Sequence, residues 1–173
     1  MVLKNYWKLL ENYQKNSVWG SSAINVDIGL KGLNGSAVNI LQSTTDWGYM
    51  PYLAQNLRMD YNLSLRAGSG SSPATASDYA LANDVTNNLS NVKTTYLSSA
   101  DDAGIIRKMS ISGSNFTNNA ITIRKIGVVK GIWSVPSGFE KADVLLAVIE
   151  LENPVVVNKG ENFNIVIEWN ELN

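Results

Sequence analysis

The sequence predicts a mainly β protein: an antiparallel β-sandwich, Ig-like or jelly-roll-like, preceded by one N-terminal amphipathic α-helix. Three observations carry this expectation. Stretches of alternating apolar and polar residues recur from Ile24 to Trp169. Turns containing Gly or Asn separate them. Helical periodicity is confined to the first segment, which disfavours a βαβ arrangement.

The helix is expected over Val2–Gln14, with Asn16 as its stop. Leu3, Tyr6, Trp7, Leu10 and Tyr13 recur at three- and four-residue spacing and share one face. Two uses of that face follow: packing on the chain's own sheet, or docking on a neighbouring subunit as an arm. The division is therefore 1–16 as a helical arm and 17–173 as the β-domain, within which 68–76 either divides two subdomains or forms a long surface loop of one sandwich. Ile24, Val26, Ile28 and Leu30 alternate with polar residues and predict a strand. Asn34-Gly35 signals a hairpin to a return strand at Val38–Leu41. Asp46-Trp47-Gly48-Tyr49 reads as an aromatic loop, and Leu57–Arg66 as the cleanest alternating strand.

Gly68–Pro73 is the most linker-like stretch, and Ser77 is placed to cap a helical turn. Strands follow at Val92–Leu97, Ile105–Ser112, Ile121–Lys130 and Val144–Leu151. Val155–Val157 and Phe163–Trp169, joined through Asn158-Lys159-Gly160-Glu161, read as a last hairpin. Phe163, Ile165, Ile167 and Trp169 fall on one face of that strand, and Asn164, Val166 and Glu168 on the other.

Composition restricts the chemistry. The 173 residues suffice for one domain with a sizeable core. Net charge is −1, with no basic surplus for phosphate neutralisation, so nucleic-acid binding is not expected. There is no Cys and no His. Thiol nucleophiles, His bases and Cys/His zinc sites are thereby excluded. The longest apolar run, Val144–Ile149, is far shorter than the ~20 residues of a membrane helix. No signal-peptide pattern is visible at the start, so synthesis in a cytoplasm, without export by the ordinary secretory signal, is expected.

The carboxylate pairs Asp78/Asp84, Asp101/Asp102 and Glu150/Glu152 are the remaining catalytic candidates, and they read as solvated turn and strand residues. Asp101-Asp102 lacks the ligand spacing of a calcium loop. No catalytic, cofactor or metal residue is expected. Four Asn-x-Ser/Thr tripeptides, at Asn34, Asn62, Asn88 and Asn115, match the glycosylation pattern without an accompanying secretion signal. Trp47, Tyr49 and Trp133 are candidate ligand-binding aromatics, suited either to stacking on sugars or to capping the core.

Ser72–Thr86 reads Ser-Pro-Ala-Thr-Ala-Ser-Asp-Tyr-Ala-Leu-Ala-Asn-Asp-Val-Thr. Downstream stand Ile111-Ser-Gly-Ser-Asn-Phe-Thr, Ile126-Gly-Val-Val, Val144-Leu-Leu-Ala and Pro154-Val-Val-Val-Asn-Lys-Gly-Glu. In this order, over roughly residues 57 to 169, the chain resembles a β-sandwich of structural proteins of tailed bacteriophages. The resemblance implies a non-enzymatic virion component, such as a multi-copy capsid decoration, head-fibre or tail-associated protein. Its expected partners are capsid or tail proteins of the same particle and further copies of itself. The alternative is a carbohydrate-binding or adhesive module built on the loop aromatics.

Overall fold

A computed structural model describes residues 1–15, 24–43, 62–101, 104–134 and 140–171. The chain is mainly β, with antiparallel sheets and one N-terminal helix. The elements are α1 (Lys4–Lys15), β1 (Ile24–Lys31), β2 (Ala37–Ser43), β3 (Leu63–Gly68), β4 (Leu89–Asp101), β5 (Gly104–Asn115), β6 (Ile121–Ser134), β7 (Glu140–Val157) and β8 (Asn162–Glu171), with a 3₁₀ turn at Thr86–Asn88. They form a β1-β2 hairpin and two three-stranded sheets, β3-β6-β7 and β4-β5-β8. The long strands β6 and β7 each contribute to two compact units. The first comprises residues 1–64, 72–82 and 127–149, and the second residues 65–71, 83–126 and 150–173.

In the first unit, the upper halves of β6 and β7 are covered on both faces. On one face Ile132, Val144 and Leu146 pack with Leu30, Val38 and Ile40 of the hairpin and Leu9 of the helix. On the other, Val129 and Leu145 cluster with Leu3, Ala74, Leu81 and Val148. Double coverage explains why β7 reads as a continuous apolar run over Val144–Ile149. The hairpin turn was legible: Asn34 Oδ1 accepts from Ser36 N–H at 3.0 Å, and Gly35 takes φ +83°. The Tyr79 ring lies 3.1 Å from where a Cβ on Gly35 would sit, so both backbone and space select Gly.

In the second unit, β5 is the centre of a regular ladder. Its register with β8 runs unbroken from Ile105↔Glu171 to Ser114↔Asn162. Phe163, Ile165 and Ile167 are buried, and Asn164, Val166 and Glu168 are exposed, as the alternation predicts.

Three local expectations are corrected. Val155–Val157 and Phe163–Trp169 do not form a hairpin with each other: β7 belongs to one sheet and β8 to the other. The turn itself is present, with Glu161 N–H donating to Asn158 O at 3.0 Å and Gly160 at φ +76°. β7 also runs through Pro154 and does not stop before it, because a terminal strand of a sheet can carry a residue without an N–H. Ser77 caps no helix; the Asp78 carboxylate bonds to Thr75 N–H and Oγ, closing a single turn. Gly68 and Ser69 are tied down, through a bridge to Asp84 and a bond from Ser69 N–H to Asn83 O. The expected strand over 57–61, the aromatic loop over 44–51 and the centre of the Asp101–Gly104 turn fall outside the described residues.

Three of the Asn residues have a backbone role. Asn62, Asn83 and Asn91 adopt φ of 54°, 49° and 53°. Asn is the side chain other than Gly that most readily takes the left-handed region.

Candidate interaction surface

The helix is bound to the first unit by backbone, amide and apolar contacts together. Leu3 N–H donates to Leu146 O and Val148 N–H to Met1 O, both at 2.9 Å, so residues 1–3 add a short antiparallel segment to the β7 edge. Asn5, 5% exposed, sits one turn further on. Its Nδ2 donates to Lys31 O at 3.0 Å and Leu145 O at 3.2 Å, and its Oδ1 accepts from Lys31 N–H. The amide thus satisfies backbone groups of both the hairpin and the sheet edge, as burial of a polar side chain requires. Lys8 Nζ donates to Gly29 O.

The five residues expected on one face therefore divide. Leu3 is fully buried within the chain, and Tyr6 is half-buried against the hairpin cluster. Leu10 is half-buried. Trp7 is 58% exposed, its ring edge-on to Tyr6 at 5.4 Å. The side chain of Tyr13 is outside the described residues, while Leu9, not singled out by the spacing, is buried. Of the loop aromatics, Trp47 and Tyr49 lie outside the described residues, and Trp133 is half-buried near the end of β6.

A second group of exposed apolar side chains is found in the second unit: Phe116 and Val156, both more than half exposed, and Val166, 50% exposed. Phe116 follows a rigid hub. Asn115 is fully buried; its Nδ2 donates to Asn119 O at 2.8 Å and Val157 O at 2.9 Å. Its Oδ1 accepts from Thr117 N–H at 2.8 Å and Thr117 Oγ at 2.7 Å. Its backbone N–H donates to Glu161 O, and its carbonyl accepts from Gly160 N–H. An Asn so engaged is not available to a glycan. In the sequence it was visible only as a glycosylation tripeptide in a loop.

Of the candidate carboxylates, Asp78, Asp84 and Glu150 are held in local structural roles, Glu152 is exposed, and Asp102 and the side chain of Asp101 lie outside the described residues. Asp78 closes the Thr75 turn. Asp84 pairs with Arg66 at 2.8 Å and accepts from Thr86 N–H. Glu150 pairs at 3.2 Å with Lys125, whose side chain is 4% exposed. Glu161 accepts from the backbone and side chain of Asn158, and these bonds hold its carboxyl below the ordinary glutamate range. Among the described residues no group of three or more acidic, His or Cys side chains could hold a metal ion. Lys130, fully buried on β6, is a polar feature that the apolar pattern around it concealed.

No protein-family model, no curated protein and no solved structure matches this chain.

Proposed function

We propose that the chain is a non-enzymatic structural protein of a bacteriophage virion, present in many copies as a capsid decoration or head fibre and anchored through its N-terminal region. The observation that carries the anchoring is Trp7. Its indole is 58% exposed on a helix whose backbone start, buried amide and apolar face are all fixed to the first unit. A large aromatic displayed from rigid backbone loses little conformational freedom when a partner covers it, which is what a binding anchor needs. The assignment to a phage particle rests on the order of motifs between residues 57 and 169.

Mass spectrometry of purified particles made from the genome that encodes the chain tests the assignment. Several copies per particle are expected, and absence from the particles refutes it. Trp7→Ser tests the anchor: incorporation should fall while the melting temperature stays unchanged. Normal incorporation of that variant would sink the anchoring role.

A further inference from the structure

Four strands end the two three-stranded sheets: β3, β7, β4 and β8. An open edge offers unpaired N–H and C=O groups to any passing chain, and natural proteins blunt such edges. Three of these four are blunted. Along β3, Ala67 O accepts from Val85 N–H, Ala67 N–H donates to Thr86 Oγ, and Leu65 N–H donates to Thr94 Oγ. Along β7, the first half is closed by residues 1–3, Asn5 and Leu33, and the second half carries Pro154 with exposed Glu150 and Glu152. β4 has a register shift between Ser90 and Lys93, Asn91 at positive φ, and an exposed Lys93. A bulge and an edge Lys both discourage pairing.

β8 lacks the Pro, the bulge and the edge Lys, and like β7 it carries an exposed Glu, Glu168. It carries no Pro, Gly or Lys, its ladder with β5 has no shift over ten pairs, and among the described residues nothing pairs with its other side. Its outward face presents Val166, half exposed, between Asn164 and Glu168. The Glu168 charge is already balanced by Lys108 on β5 at 2.7 Å.

We propose that β8 is an association edge for a second copy of this chain, pairing antiparallel about a two-fold axis at Val166. This goes beyond the virion reading and does not depend on it. The strand is self-complementary in that register. Val166 meets its own copy, Asn164 meets Glu168, Asn162 meets Asn170, and Ile165 meets Ile167 on the buried face. From Asn162 to Asn170 no like charges stand opposite each other; the one like pair, Glu161 with Glu171, falls at the ends of the ladder. Moving the axis to Glu168 would set two carboxylates face to face.

The absence of Cys makes a register-specific test clean. Cα atoms directly opposite in an antiparallel pair are about 4.5–5.5 Å apart, within disulfide reach. Residue 164 and its copy would be four positions apart, about 13 Å. The full chain should therefore be a dimer by sedimentation. Val166→Cys should cross-link on mild oxidation at least about tenfold faster than Asn164→Cys. Val166→Lys, at a half-exposed position, should stay folded, with the wild-type circular dichroism spectrum, and sediment as a monomer. A monomeric wild-type chain, equal cross-linking rates for the two Cys variants, or a folded Val166→Lys dimer would each overturn the proposal.

Discussion

Asn115→Ala should be among the most damaging single substitutions in the second unit. Asn has two N–H donors and two acceptor positions, and at residue 115 all four are used within the protein. Each such bond contributes about 0.5–1.5 kcal/mol net. The losses are unequal. Asn119 is exposed and Thr117 half-exposed, so water can replace much of what they lose. Val157 is 1% exposed, and its carbonyl would be stranded at a cost of about 1–3 kcal/mol. Together these give about 3 kcal/mol, or roughly a hundredfold in a local opening equilibrium. Amide hydrogen exchange at Gly160 and Asn115, whose N–H groups bond across the same hub, reads that opening directly. Asn115→Asp separates polarity from shape. A carboxylate would face the Asn119 and Val157 carbonyls, which raises its pKa in the folded state. A raised pKa makes the variant most stable in acid, below the unfolded value of about 3.9, with stability lost as the pH rises. A cost below about 1 kcal/mol for Asn115→Ala would show that the hub is not structural, and the reasoning would fail.

Three further outcomes are expected. Leu9→Ala should cost about 2–5 kcal/mol in urea unfolding while Trp7→Ser stays within about 0.5, because Leu9 is buried with the hairpin and Trp7 faces solvent. Gly160→Ala should destabilise by about 1–2 kcal/mol through its positive φ alone, since the space around it is empty, and Gly160→Asn should recover much of the loss. Glu161 has a lowered folded pKa, so its contribution is present above the unfolded value of about 4.3 and disappears as the pH falls through the folded one. Thermal melts of Glu161→Gln should accordingly differ from wild type at neutral pH and converge with it in strong acid.

How far the sequence could be read depended on the kind of signal. The helix over Lys4–Lys15 and the alternation of β8 were legible because each follows one periodicity. The helix face was only partly legible. Apolar spacing favoured Trp7 over Leu9 and passed over Asn5, whose burial follows from backbone groups about 26 and 140 residues away. The turn at Asn158–Glu161 was found, but the same turn chemistry serves a hairpin and a change of sheet, so its two strands were wrongly paired. Asn115 left no trace because its role depends on Val157, 42 positions later. Edge status, on which Pro154 and Val166 take their meaning, belongs to the sheet order and is not carried by any single segment.

The closing of the β7 edge also has a consequence in time. Met1 and Val148 bond across 147 positions of chain. On a ribosome, residues 1–3 emerge long before the strand that they pair with. Until then the helix lacks part of its seat, and Leu3 and Asn5 have no strand to bond. Contacts of such long sequence separation form late and slowly. The nascent chain thus passes through an interval in which Leu3 and Leu9 lack the strands that bury them, and crowding of neighbouring ribosomes on one message would favour mispairing at that stage.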